Sequence, residues 1–174
     1  PVAHHEAHTH ELSYSNDDAF VAEVSSFEGV DGFVSDRFVM RWRGIVTVPR
    51  TGTYRFSTES DDGSMLYIDQ RAVVDNDGLH GMSRQEGSVE LQGGAHDITI
   101  TFFESGGGSG LIVMWTPSPG ASMVTLGSGN ELSNSEGYSV PGLYFEAFTP
   151  GDAFNWNNLA SVQNTVFSQS WNGW

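Results

Sequence analysis

Hydrophobic and polar positions alternate in the first segment of the chain that has a clear pattern. Phe38, Met40 and Trp42 occupy one side of the alternation, and three arginines with Val39 occupy the other. Because successive side chains of a strand point to opposite faces, this pattern predicts a half-buried β-strand. The apolar residues 45–48 extend the predicted strand.

Further short segments of the same kind follow, separated by turn residues. Residues 53–58 return from a corner that contains Pro49 and Gly52, which predicts a hairpin with the first strand. More strands are predicted at residues 65–68, 72–74, 88–91, 96–103 and 111–115. Regularly spaced short strands are typical of an all-β sandwich or barrel.

The composition changes after Trp115. Residues 117–141 are rich in Ser, Gly, Asn and Thr, which predicts a linker that would span about 80 Å if fully extended. Residues 142–174 contain another strand-like segment and an aromatic-rich tail. The sequence therefore predicts a β-sandwich over residues 1–116, a linker over 117–141 and a third segment over 142–174.

Charge and composition narrow the classes of function. Seven basic residues, all arginine, stand against 22 acidic ones, and the net charge is -15. Such a surface repels nucleic acid and anionic membranes and attracts cations. No apolar run approaches the roughly 20 residues that span a bilayer. The chain begins at Pro1 without a leader, so we expect that its true start has been removed and that the chain inserts into no membrane.

Asp61-Asp62-Gly63 is the strongest chemical signal in the sequence. Two adjacent carboxylates face one point only if the backbone between them is unusual, and a hard divalent cation stabilises that arrangement. Calcium takes roughly six to eight oxygen ligands, so other loops must contribute. Glu104, Ser105 and Gly106 are the first candidates, and Asp75 and Asp77 are weaker ones. The alternative is a turn in which Asp61 caps backbone N–H groups.

No catalytic motif stands out. The sequence has no nucleophile elbow that leads from a strand into a helix and no phosphate-binding loop. Acidic residues are so common that any pair of them is uninformative about glycosidase activity. The sequence therefore does not predict an enzyme.

Residues 38–115 resemble the PA-fourteen domain family, named for the fourteen-kilodalton region of a bacterial toxin's protective antigen. The motifs that carry the resemblance are Phe38-Val39-Met40-Arg41-Trp42-Arg43-Gly44, Gly52-Thr53-Tyr54-Arg55-Phe56, Ser60-Asp61-Asp62-Gly63-Ser64-Met65-Leu66-Tyr67-Ile68-Asp69 and Val74-Asp75-Asn76-Asp77-Gly78-Leu79-His80. The resemblance implies a two-sheet β-sandwich of the kind found in adhesins, glycosidase appendages and cell-surface proteins. It therefore implies an extracellular location.

The resemblance also bears on the Asp61-Asp62 pair. In the calcium-dependent lectins of this family the matching pair is joined by a cis peptide and binds Ca²⁺, which in turn binds sugar hydroxyls. For this chain the resemblance thus implies that Asp61 and Asp62 are calcium and sugar ligands.

One strand is displaced relative to the family pattern. Family members open with a strand of the type Gly-Leu-Tyr-Phe-Glu-Ala-Phe, which here occupies residues 142–148, after the domain. The chain is then one repeat of a tandem array, a subunit that donates residues 142–174 to its neighbour, or a domain whose tail folds back. In the first two arrangements an incoming strand pairs with the free backbone groups of an exposed sheet edge and links copies of the chain head to tail. The predicted donor residues are Leu143, Tyr144, Phe145, Ala147 and Phe148.

These observations favour an extracellular structural or adhesive module, joined head to tail by strand completion. The alternative is a calcium-dependent carbohydrate-binding module that recognises glycans. A third possibility, a targeting module attached to a hydrolase, requires an enzyme elsewhere in a longer chain.

Overall fold

The computed structural model describes residues 21–22, 36–129, 131–133 and 144–148, with side chains described for 36–129 and 131–133. Leu143 and the tail after Phe148 lie outside the described residues. The strands are β1 (Val21–Ala22), β2 (Phe38–Val48), β3 (Gly52–Asp61), β4 (Ser64–Ile68), β5 (Arg71–Asn76), β6 (Ser83–Leu91), β7 (Gly94–Glu104), β8 (Gly110–Trp115), β9 (Val124–Thr125), β10 (Leu132–Ser133) and β11 (Tyr144–Phe148). The described part of the chain includes no helix that could cross a bilayer.

The strands form two antiparallel sheets. Sheet A has the order β1-β8-β3-β6, and β9 also pairs with β8. Sheet B has the order β10-β2-β7-β4-β5, and β11 also pairs with β2. The predicted all-β, two-sheet sandwich is confirmed.

The chain changes sheet at almost every connection from β2 to β8. Only β4 and β5 are consecutive in the chain and paired in this part of the fold, and Asp69 and Gln70 at their turn both have positive φ. The predicted hairpin at Pro49 and Gly52 is wrong, because β2 belongs to sheet B and β3 to sheet A. Alternation of apolar residues determines which face of a strand is buried, but it does not determine which strand lies beside it.

The core lies between the sheets. Phe38, Met40 and Trp42 of β2 contribute to it, as the alternation predicts. Trp115 of β8 stacks on Tyr54, with ring centroids 6.2 Å apart.

The prediction that β2 is half-buried is wrong for its first residues. Val39 and Arg41 are 0% and 5% exposed, and their partners on β7, Phe103 and Thr101, are both 0% exposed. Both faces of sheet B are therefore buried in this region. Arginines at alternate positions do not by themselves show that this face of a strand is exposed to solvent, because the long apolar stem of arginine packs well against other side chains.

The second edge of β2 is occupied by strands from the C-terminal part of the chain. β11 pairs antiparallel with β2, with Tyr144 opposite Arg43 and Phe148 opposite Val39. β10 pairs with β2 further along the same edge. In this single chain β11 pairs with β2 of the same chain, and the choice among the three arrangements stays a prediction.

The described part of residues 117–141 contributes to the sandwich. It contains β9 and β10, and Leu126 and Leu132 belong to the core, with exposed fractions of 0% and 6%. The division of the chain at residues 116 and 141 stays a prediction.

Candidate functional site

Three connections between the sheets meet at one end of the sandwich, which we call the acidic end (residues 61–63, 77–82 and 104–109). They join β3 to β4, β5 to β6 and β7 to β8. The strand register brings them together, because Asp61 lies opposite Gly110 and Ser64 lies opposite both Asn76 and Phe102. Residues that are far apart in the sequence therefore share one small region.

Asp61, Asp62 and Glu104 form a carboxylate cluster at this end. Each offers a carboxylate oxygen, and these oxygens all lie within 4.8 Å of one another. The peptide bond between Asp61 and Asp62 is cis. Asp62 is 6% exposed and Glu104 is 0% exposed. Three acidic groups that the sequence proposed as calcium ligands thus lie in one place.

Asp62 is held by both neighbouring loops. Its Oδ1 accepts a hydrogen bond from the backbone N–H of His80 at 3.0 Å, and its Oδ2 accepts one from the backbone N–H of Ser105 at 3.0 Å. A carboxylate oxygen has two lone pairs, so both oxygens keep capacity for a further ligand. Asp62 therefore fixes the loops around the cluster while each of its oxygens can still bind a further ligand.

Glu104 is the unusual member of the cluster. Its side chain is fully buried, and neither carboxylate oxygen has a hydrogen-bond partner among the described residues. Burial, with the charges of Asp62 and Asp61, raises the pKa of Glu104 to about 7. The backbone amides of Gly106 and Asp62 lower this pKa but do not reach hydrogen-bond geometry. A buried, ionised carboxylate without a partner is costly, so this group requires a proton or a cation.

Asp61 faces the glycine-rich loop between β7 and β8. Burial and the charge of Asp62 raise the pKa of Asp61, whereas His80 lowers it. A Cβ atom on Gly108 would lie 3.2 Å from Oδ2 of Asp61, so the loop backbone approaches this carboxylate closely. Gly107 has a φ of 115°, which favours glycine at this position.

Asp36 is a part of the site that the sequence did not reveal. Its Oδ1 accepts a hydrogen bond from the backbone N–H of Gly107 at 3.3 Å, which ties the glycine-rich loop to the residues before β2. Only the folded register brings residue 36 and residue 107 together. No local sequence motif predicts this contact.

A buried polar network lies directly beneath the cluster. The hydroxyls of Ser60 and Ser64 lie 2.7 Å apart, and Ser64 donates to Oγ1 of Thr58 at 2.9 Å. The amide of Asn76 donates to Oγ of Ser60 at 3.0 Å and to the backbone carbonyl of Ser83 at 2.9 Å. This network links sheet A to sheet B, and its satisfied hydrogen bonds give the site a rigid floor. The signal in the sequence is small polar residues at inward positions of β3 and β4.

The weaker candidates do not join the cluster. Asp75 is exposed, and its Oδ1 accepts a hydrogen bond from the backbone N–H of Asp77 at 3.2 Å. Neither belongs to the group of carboxylates that could hold one ion. Of the predicted loop ligands, Ser105 binds Asp62 through its backbone N–H, and the backbone of Gly106 lies near Glu104.

The chain is similar to known proteins over most of the described region. A family model described as PA14 domain matches residues 10–125. None of the curated proteins compared with the chain matches it significantly.

Several solved structures share the fold. One is an anti-sigma factor domain-containing protein from Clostridium clariflavum, with 24% identity, a TM-score of 0.56, and 69% of this chain and 40% of that chain covered. The PA14 sugar-binding domain from an RTX adhesin has 23% identity and a TM-score of 0.54, with 62% and 60% covered. The PA14 domain of the MpAFP antifreeze protein has 22% identity and a TM-score of 0.50, with 57% and 53% covered. The chain thus spans at most 60% of the length of these three solved chains.

Proposed function

The chain belongs to the PA14 domain family, and from this membership we propose that its acidic end binds calcium and, through calcium, a glycan. The observation that carries the proposal is the fully buried carboxylate of Glu104, which has no hydrogen-bond partner in the described part of the chain and offers an oxygen within 4.8 Å of oxygens of Asp61 and Asp62. The module would act in adhesion outside the cell.

The residues of the cluster fit calcium. Asp61, Asp62 and Glu104 supply hard oxygen donors, the type of ligand that calcium prefers. A divalent cation would relieve the repulsion among three carboxylates and would provide Glu104 with the partner that it lacks. Ser105 and Gly106 remain the proposed sources of additional backbone oxygens.

Bound calcium would act as a Lewis acid to which two neighbouring hydroxyl groups of a sugar could coordinate. The support for a glycan is the position of the cluster at an end of the sandwich, among loops, where binding sites commonly lie. The sugar-binding domain of the RTX adhesin has the same fold. We propose binding rather than catalysis, because Asp61, Asp62 and Glu104 offer three carboxylate oxygens close enough to one another to hold a single ion.

Two measurements test this function. Isothermal titration with CaCl₂ should give a single site that is lost in Asp62→Asn, and a glycan array should give binding that EDTA abolishes. The matched control is Asp75→Asn, because Asp75 is an exposed acid outside the cluster. Equal calcium affinity in Asp62→Asn and in the unmodified chain would show that the cluster is not the calcium site.

The position of β11 favours a second candidate function, in which copies of the chain exchange this strand head to tail. β11 pairs with an edge of β2, although the two strands are far apart in the sequence. The β11 strand of a neighbouring copy would fit the same edge in the same register. The result would be an extracellular filament or surface array.

A disulfide test distinguishes exchange from fold-back. The chain contains no cysteine, and Arg43 lies opposite Tyr144 in the register. In a chain that carries both Arg43→Cys and Tyr144→Cys, fold-back gives a monomer that is cross-linked within itself, whereas exchange gives a ladder on a non-reducing gel. Light scattering of the intact chain and of a chain that ends at Pro141 provides an independent check. Compact monomers in both cases would refute the exchange.

A further inference from the structure

Large apolar side chains are exposed at the acidic end. Leu79 is 49% exposed, Met82 is 47% exposed and Val124 is 37% exposed, and these three are the exposed large apolar residues within the described ranges. Two of the three lie on the connection between β5 and β6. Single exposed apolar residues are ordinary, but two on one short connection beside a polar cluster call for an explanation.

This connection is fixed to the carboxylate cluster. The backbone N–H of His80, between the two apolar residues, donates to Oδ1 of Asp62 at 3.0 Å. The backbone of Gly78 packs so closely on Gly63 that a Cβ atom on Gly63 would lie 2.8 Å from the nitrogen of Gly78. Leu79 and Met82 therefore hold a defined position relative to the cluster.

Met82 also contacts the strand that faces Asp61. Its Sδ and Cε atoms lie 3.7 and 3.6 Å from the position that a Cβ atom of Gly110 would take, and Gly110 is the register partner of Asp61. The apolar side chain thus lies over the first residue of β8, at the rim of the site.

We propose that Leu79 and Met82 form the apolar half of the glycan site and pack against the C–H face of a sugar whose hydroxyls bind calcium. The ligand class is a saccharide that presents two neighbouring hydroxyls on one edge and a continuous C–H surface or a deoxy methyl group beside them. This inference rests on the proposed function and adds the residues that select among sugars.

The size of the patch favours a sugar over a protein partner. A stable protein interface covers about 800 Å² on each partner. Two side chains offer far less area than this, but their area is comparable to one face of a sugar ring. Continuity with the carboxylate cluster also favours a ligand that combines hydroxyl groups with apolar surface.

The experiment compares three matched variants of the full chain: Leu79→Ser, Met82→Ser and the control Val124→Ser. A glycan array in CaCl₂ first identifies the best-binding glycan, and calorimetry then measures its affinity for each variant. We expect about tenfold weaker glycan binding for the first two variants and unchanged binding for the control. Calcium affinity, titrated separately, should stay the same in all three and shows that the site is still folded. The conservative variants Leu79→Met and Met82→Leu should retain glycan binding.

Two results would overturn the inference, and they differ in what they say about the proposed function. If both serine variants bind the glycan as tightly as the unmodified chain, the apolar rim plays no part, and calcium-dependent binding still stands. If the calcium-loaded unmodified chain binds no glycan on the array, the proposed glycan function and this inference are both wrong.

Discussion

The two ends of the sandwich both carry the chain from one sheet to the other, but they satisfy their polar groups differently. At the end opposite the acidic end, which we call the distal end (residues 49–51, 69–70 and 92–97), His96 lies 2.7 Å from a carboxylate oxygen of Asp69 and 2.7 Å from the backbone carbonyl of Gln92. The other oxygen of Asp69 accepts from the backbone N–H of Asp97 at 3.0 Å. The hydroxyl of Tyr54 donates to the carbonyl of Arg50 at 2.7 Å.

At the acidic end this compensation is incomplete, because only Asp62 of the three carboxylates accepts hydrogen bonds from both neighbouring loops. Its three carboxylates lie close together, and within the ranges that the structure describes Glu104 has no hydrogen-bond partner. The distal end pairs a carboxylate with an imidazole, so the chain completes that end by itself. The acidic end requires a proton or a cation from outside. The loops of the distal end thus pair their own polar groups, whereas the buried carboxylate at the acidic end has no hydrogen-bond partner among the described residues.

The largest expected effect comes from packing at the acidic end. In Gly63→Ala, the new Cβ atom would lie 2.4 Å from Cε1 of Phe103 and 2.9 Å from the carbonyl oxygen of Gly78. We expect a loss of about 3 kcal/mol in the free energy of unfolding, measured with urea. The control is Gly81→Ala, where nothing lies within 4 Å of the new atom. Equal stability of the two variants would show that the connections at this end are not packed together.

The pH dependence of the calcium-free chain should come next. The pKa of Glu104 rises from 4.5 to about 7 on folding, so the folded chain holds the proton more tightly than the unfolded chain. This contribution to stability is complete below pH 4.5 and is lost as the pH rises to about 7, with a total of about 3 kcal/mol. Urea unfolding in EDTA at pH 5 and pH 8 measures it.

The variant Glu104→Gln assigns that pH dependence to Glu104. It has nearly the same shape as the glutamate and cannot ionise, so its unfolding free energy should change less between the two pH values. Glu90→Gln is the control, because Glu90 is exposed and lies on β6 away from the cluster. If Glu104→Gln and the unmodified chain have the same slope, Glu104 does not titrate in this range.

Calcium should stabilise the chain through the acidic end alone. At a calcium concentration about one hundred times the Kd, the expected gain is about 2.7 kcal/mol, which corresponds to a rise in Tm of roughly 5 to 10 °C. The rise should disappear in Asp62→Asn and persist in Asp69→Asn, a variant of the distal end. An equal rise in both variants would place the calcium elsewhere.

The smallest effect belongs to the distal end. Burial alone would lower the pKa of His96, but hydrogen bonds to Gln92 and Asp69 and the charges of Asp69 and Asp97 raise it above 6.5. The stabilisation is therefore fully present below pH 6.5 and is lost as the pH rises through the raised pKa. The site is partly exposed, so we expect at most about 1 kcal/mol. Urea unfolding of His96→Gln should show a larger deficit at pH 5.5 than at pH 8.5, with or without calcium; a constant deficit would contradict the assignment.

Much of the fold follows from the sequence, whereas the neighbours of each strand do not. Alternation along β2 predicts a strand correctly, and the strands predicted at residues 65–68 and 72–74 correspond to β4 and β5. The hairpin at Pro49 was wrong because apolar periodicity reports burial and carries no information about sheet membership. Pairing across the sandwich depends on contacts between residues far apart in the chain.

The same distinction applies to the site. Asp61, Asp62 and Glu104 could be proposed because their residue types and local motifs indicate calcium chemistry. The roles of Asp36 and of the His80 backbone could not, because each depends on where a distant loop arrives after folding. The polar network under the site could not be predicted either, because serine and threonine on a strand usually indicate a solvent-facing position.

The pairing of β11 with β2 also affects how the chain is made. β2 leaves the ribosome long before its edge partner, since β11 begins roughly a hundred residues later. At a synthesis rate of about 5 to 20 residues per second, the edge of β2 stays uncovered for roughly 5 to 20 s in each nascent chain. Under the proposed exchange, β11 of a neighbouring nascent chain on the same messenger would compete during that interval with the chain's own β11 for the same backbone groups. The spacing of ribosomes and the speed of translation would then influence how many copies emerge as monomers.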